Sequence, residues 1–112
     1  MKGLIIRKEW LDKIFNDGKI WEMRSSACHH RGKIYLIESG TKQGTIVGEA
    51  EITDSWKIEP CEFSCTKDFH HVDDLSLLNK WCHAWVLNNV VKYDTPIHYE
   101  RKKGQVIWVD GL

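Results

Sequence analysis

Between residues 45 and 53 small or apolar residues fall on every second position. Ile46, Gly48, Ala50 and Ile52 share one side, and Thr45, Val47, Glu49 and Glu51 the other. A period of two is what a strand with one buried face requires. Shorter β-rich runs occupy residues 4–7 and 33–38, the second ending at the turn Ser39-Gly40, and residues 85–93 form a long one. From Lys8 to Asn16 the spacing changes. Trp10, Leu11, Ile14 and Phe15 recur with helical spacing, and Gly18 stands where a helix-ending glycine belongs.

The stretch from Asp17 to Ser26 is the most informative. A glycine turn releases Lys19, and residues 21–24 then alternate as a strand. Ile20, Glu22 and Arg24 point one way, Trp21 and Met23 the other. An apolar pair on one face and an acid–base pair on the opposite face suit a strand that lines both a core and a cleft. Lys19 can swing toward the same cleft. The same residues also fit a surface ion pair, which contributes little.

The rest of the chain is read more coarsely. Residues 25–32 form a polar loop carrying Cys28, His29, His30 and Arg31. Residues 55–66 read as irregular connection, with Pro60 as a breaker. Asp73-Asp74 is placed to cap a short helix through Lys80, with Leu75, Leu77 and Leu78 inside. Thr95-Pro96 is expected to turn the chain, and residues 105–109 to close it. Strands dominate, two helical pieces are inserted, and no repeat, low-complexity tract or linker interrupts the order. The fold class expected is mainly β with short helices (α+β). It is a small β-barrel of about five or six strands with flanking helices, a single domain over residues 1–112.

Composition sharpens this. The 112 residues carry 16 basic and 16 acidic side chains, so the net charge is zero. That argues against a protein coated in positive charge to hold duplex nucleic acid, though not against a local basic groove. Six tryptophans are scattered along the chain. Most are expected in the core, with one or two free to stack on a base. No apolar run approaches a membrane span, and the first seven residues are too short for a signal peptide. The expected location is the cytoplasm, with the four cysteines as reduced thiols and no cofactor.

Lys19 and Arg24 are donors suited to phosphate or to a base carbonyl. Glu22 is an acceptor suited to the exocyclic amine of cytosine, adenine or guanine. An acid between two cations stays ionised and serves as an orienting acceptor or general base. Together the three fit a pocket that reads a flipped or single-stranded base and holds its phosphate. Ser25 and Ser26 add hydroxyls that serve the pocket or cap the loop. Tyr99 is a candidate wall, for stacking or hydrogen bonding, or plain barrel filling. Lys92 and the run Arg101-Lys102-Lys103 fit either a rim that guides a phosphate backbone or a solvated turn. Among the thiols and imidazoles, Cys61, Cys65 and His70 make the least unsuitable zinc set, but the spacing lacks paired knuckles. Free cysteines and surface histidines are the favoured reading.

The order of these features resembles the ASCH family, a branch of the PUA-like β-barrels. Its characteristic element, Gly-x-Lys-x-x-Glu-x-Arg after the first helix, is matched by Lys19, Glu22 and Arg24, with Asp17 in place of the leading glycine and Gly18 one position later. Gly32-Lys33-Ile34-Tyr35-Leu36 and Ile46-Val47-Gly48-Glu49-Ala50 resemble its central strands. His83-Ala84-Trp85-Val86-Leu87, Thr95-Pro96-Ile97-His98-Tyr99 and Gly104-Gln105-Val106-Ile107-Trp108-Val109 resemble its closing part. The resemblance implies a small barrel with a cleft beside the signature strand. It further implies binding of single-stranded RNA or of a nucleotide or nucleoside. Some similar proteins are hydrolases of RNA or of acylated nucleosides, in which case Lys19 and Glu22 would be catalytic. The acylcytidine-hydrolysing type has a lysine and a threonine in this element, and here Glu22 takes the threonine position. A third reading is a protein-interaction adaptor that uses an exposed aromatic patch.

Overall fold

The computed structural model describes all residues, Met1–Leu112. Its strands are β1 (Gly3–Ile6), β2 (Trp21–Arg24), β3 (Gly32–Glu38), β4 (Gly44–Lys57), β5 (His83–Tyr99) and β6 (Trp108–Val109). Its helices are α1 (Lys8–Asn16) and the short α2 (Lys67–His70). The six strands form one sheet in the order β2-β5-β4-β3-β1-β6, curled into a half-barrel. All neighbours are antiparallel except β1 and β3. This is the mainly β architecture with short helices that the periodicity calls for.

The alternation in β4 is realised from Ile46 to Ile52, while Thr45, expected on the outer side, is buried. Ile46, Ala50 and Ile52 are almost fully buried, while Val47, Glu49 and Glu51 are half-exposed. Leu11 and Ile14 of α1 close over the same interior, packing with Leu4, Ile6, Ile34, Leu36 and Leu87. Gly18 takes φ +80°, which a side chain resists. The chain thereby turns back so that the Lys19 N–H reaches the Lys13 carbonyl at 3.2 Å. A second core of Trp21, Met23, Ile58, Phe63, Val72 and Leu78 lies between β2 and the connection after β4.

Four local expectations are corrected. β4 runs on through Ser55, Trp56 and Lys57, which pair with Trp85, Ala84 and His83. Its last residues lose the buried alternation because Asp54, Trp56 and Lys57 are exposed. β5 does not turn at Thr95-Pro96. Gly48 pairs with Lys92 and Ile46 with Ile97, so residues 93–96 bulge opposite Val47 alone, and Pro96, which has no N–H to give a ladder, sits in that bulge. The segment after Asp74 is a 3₁₀ turn, Leu75–Asn79, rather than an α-helix. Asp74 does cap it, accepting from the Ser76 N–H at 3.1 Å. The closing strand is only Trp108–Val109, with the Ile107 carbonyl still accepting from the Ile5 N–H at 2.9 Å, and Gln105–Ile107 line the cavity described below. Only Trp21 and Trp85 of the six tryptophans are fully buried. No helix is long and apolar enough to cross a membrane.

β2 is one edge of the sheet. It faces β1 across the open side of the half-barrel without backbone pairing. Arg24 bridges that gap, donating from Nη2 to the Ile5 carbonyl at 2.9 Å.

Candidate functional site

A cavity of about 510 Å³ opens along this seam, within the size range of small-molecule sites. Its floor is buried: Lys19, Glu22, Met23 and Val72 are at most 6% exposed, and Trp10 and Trp81 stand beside them as half-buried walls. Its rim is built from Arg7, Ser39, Gly40, Tyr99, Arg101 and Gln105–Ile107.

The strand alternation puts Glu22 and Arg24 on one face of β2. Their ladder partners are Trp85 and His83. Arg24 grips Glu22 twice, through Nη2 at 2.8 Å and Nε at 3.2 Å, both to Oε2. The Arg24 guanidinium also lies over the Trp85 ring at 5.5 Å, and Trp85 stacks on Trp108 at 5.7 Å. Arg24 is therefore held from three sides, and only Nη1 has no partner in the protein.

Lys19 is 1% exposed. Its ammonium donates to the Trp21 carbonyl at 2.5 Å and to the His70 carbonyl at 2.7 Å. It lies 3.7 Å from Glu22 Oε1. Burial lowers its pKa from 10.5 to about 8, against the raising influence of the Glu22 carboxylate. Both carbonyls that hold Lys19 have structural reasons to be there. Trp21 O lies on the side of β2 away from its only ladder partner, and His70 is locked by its own ring. Nδ1 accepts from the Val72 N–H at 2.9 Å, so Nε2 carries the proton that goes to the Phe63 carbonyl at 2.7 Å. Burial holds the His70 pKa below its usual value, consistent with a neutral ring.

One oxygen is left over. Glu22 Oε1 accepts no hydrogen bond from the protein, and it is not sealed in, since His83 Nδ1 is the one buried side-chain polar atom without a partner. The floor thus presents a carboxylate oxygen beside an ammonium that lies over the Trp10 ring at 5.2 Å, and Trp81 also lines the cavity. A ligand group that donates to the first and accepts from the second fits it.

The sequence placed Lys19, Glu22, Arg24 and Tyr99 together, and all four line the cavity. Tyr99 lies flat over Gly44, where any Cβ would collide with its ring, and burial raises its pKa, keeping the hydroxyl protonated. Ser25 and Ser26 are exposed and lie outside the cavity. They follow the end of β2, and the Ser26 carbonyl is used to accept from the Trp85 indole at 2.8 Å. Cys61, Cys65 and His70 do not form a cluster. Both ring nitrogens of His70 are occupied, the two cysteines are exposed, and no three His, Cys, Asp or Glu side chains converge on a metal position. Lys92 rests over the Phe15 ring, outside the cavity, and of the basic run only Arg101 reaches the rim. Sequence reasoning missed Arg7, Trp10 and Trp81. Arg7 precedes α1 directly and Trp10 occupies its first turn, so both read locally as helix start and helix core.

The ASCH domain family matches residues 4–97. The chain belongs to the ASCH family. The match takes in the Lys19, Glu22 and Arg24 element and stops before the rim residues Tyr99, Arg101 and Gln105–Ile107. No curated protein matches the chain significantly. For this ASCH domain the signature residues are the buried floor of a cavity rather than a surface ion pair.

Proposed function

We propose that this ASCH domain binds a nucleotide, free or within single-stranded RNA, and reads its base on the Lys19–Glu22 floor. The observation that carries the reading is the free Glu22 Oε1 beside the Lys19 ammonium at the bottom of a cavity walled by Trp10 and Trp81. An exocyclic amine of cytosine, adenine or guanine donates to Oε1. The adjacent ring acceptor or carbonyl accepts a hydrogen bond from the Lys19 ammonium. The indoles supply base-stacking surface. Arg24 fixes Oε2 and so leaves one acceptor, aimed inward. The setting is cytoplasmic, where the four free thiols stay reduced.

Calorimetric titration with 5′-CMP, 5′-AMP and 3-methyluridine 5′-monophosphate, whose base has no N–H donor, tests this. The amine-bearing nucleotides should bind about tenfold tighter than the 3-methyluridine nucleotide, as a charged hydrogen bond provides, and Glu22→Gln should abolish the difference. Equal affinities in wild type and variant would defeat the reading.

One observation favours hydrolysis of RNA or of an acylated nucleoside as a second reading: a lysine that loses its proton near pH 8 beside an ionised carboxylate is equipped for proton transfer. Product formation that rises with pH toward 8 and vanishes in Glu22→Gln would establish it, and no turnover of either substrate class would remove it.

A further inference from the structure

The floor cations are poor phosphate ligands here. Lys19 gives two of its three N–H bonds to carbonyls and has Glu22 Oε1 3.7 Å away, and Arg24 is engaged by Glu22, Ile5 and Trp85. The rim is different. Arg7 makes no side-chain hydrogen bond, and its one ion pair, to the exposed Glu9, is a loose 3.9 Å. Arg101 uses Nη1 on the Thr41 carbonyl and keeps Nε and Nη2 free. Ser39 brings a hydroxyl without a partner, and Gly40, at φ +83°, adds a backbone N–H that no protein carbonyl accepts. Such turn amides form an anion-holding concavity. Glu38 is the one carboxylate among these rim groups.

Resting on the base-binding reading above, we propose that Arg7 and Arg101, with Ser39 and Gly40, form a subsite for a single phosphate. The preferred ligand is then a nucleoside monophosphate unit, with its base on the Glu22 floor and its phosphate at the mouth. Arg7 and Arg101 face Glu38 and the exposed Glu9, and the floor triad adds one net positive charge, so the excess of positive charge around the cavity is small. It suits one phosphate, whereas a triphosphate would crowd further charge against Glu38 and Glu9. The unit has two possible sources, a free nucleotide or the phosphorylated end of an RNA strand.

Titration of the 112-residue chain with cytidine, 5′-CMP, 5′-CTP and a 5′-phosphorylated tetracytidylate tests the subsite. The expected result is 5′-CMP at least about tenfold tighter than cytidine, with 5′-CTP no tighter than 5′-CMP. In the Arg7→Gln/Arg101→Gln double variant the affinity for 5′-CMP should fall to that of cytidine. Arg7→Lys/Arg101→Lys should recover part of it, which separates lost charge from lost folding. Tetracytidylate tighter than 5′-CMP supports the subsite with a strand end as its source, and the reverse order supports it with a free nucleotide. Cytidine and 5′-CMP binding equally well, or a monophosphate preference that survives in the Gln double variant, overturns the subsite while leaving the base reading intact. Failure of cytidine itself to bind defeats the base reading as well.

Discussion

The floor and the rim of the cavity use the same charged side chains in opposite ways. On the floor Lys19 and Glu22 are nearly inaccessible, and Arg24 is about one-fifth exposed. Their donors are directed almost entirely at protein atoms. On the rim the Arg7 side chain is 73% exposed and Arg101 also faces solvent. The lesson is that charged residues of one motif divide the work: Arg24 spends its charge on protein atoms, and Lys19 gives two of its three N–H bonds to carbonyls. Lys19 and Arg24 fix one carboxylate so that a single oxygen is offered inward. On the rim, the arginines proposed to meet a phosphate keep most of their donors free of protein partners.

The sharpest way to break this contrast is Glu22→Ala. It leaves one ammonium and one guanidinium buried without their counter-charge, and removing one partner of a buried ion pair costs about 3–5 kcal/mol. A fall of that order in the unfolding free energy, measured by urea denaturation, is expected. A change below about 0.5 kcal/mol would show that the floor is solvated like a surface pair.

Much of this floor was legible because its causes are local. The alternation of residues 21–24, the glycine turn at Gly18 and the spacing of Lys19, Glu22 and Arg24 are all read within one turn and one strand. What holds the residues in place was not legible, because it comes from afar. The His70 carbonyl reaches Lys19 across 51 positions, and Ile5 reaches Arg24 across 19. Both are backbone oxygens, which carry no sequence signal. Ser25 and Ser26 misled for the converse reason. They are adjacent to the motif in sequence but lie beyond the end of its strand, where the chain leaves the cavity. The bulge at residues 93–96 hid the continuation of β5, since Thr95-Pro96 has the composition of a turn.

The next effect in size is a pH dependence. The Lys19 pKa is about 8 in the folded state and near 10.5 when unfolded. The unfolded chain therefore holds more protons between those values, and stability rises with pH across that window. Below pH 8 the burial penalty is fully present, and above about 10.5 it is gone. The difference in unfolding free energy between wild type and Lys19→Met should shift in favour of wild type from pH 8 to 10.5, by roughly 3.4 kcal/mol at most. A flat difference would mean that Lys19 is not desolvated.

The smallest effect lies at the rim. Arg7→Gln and Arg101→Gln should each change stability by no more than about 0.5 kcal/mol, as surface substitutions do. Thermal denaturation of the two variants measures it. A loss of several kcal/mol would place these arginines with the structural charges and erase the distinction between the two regions.

The central claim is that a base enters between Trp10 and Trp81 to reach the Glu22 oxygen. Indole N–H resonances of the six tryptophans, followed by NMR during titration with 5′-CMP, address it most directly. Trp10 and Trp81 should shift together and saturably, while Trp56, exposed outside the cavity beside Trp21, stays still. Shifts confined to Trp56, or none at the two cavity indoles at saturating ligand, would contradict it.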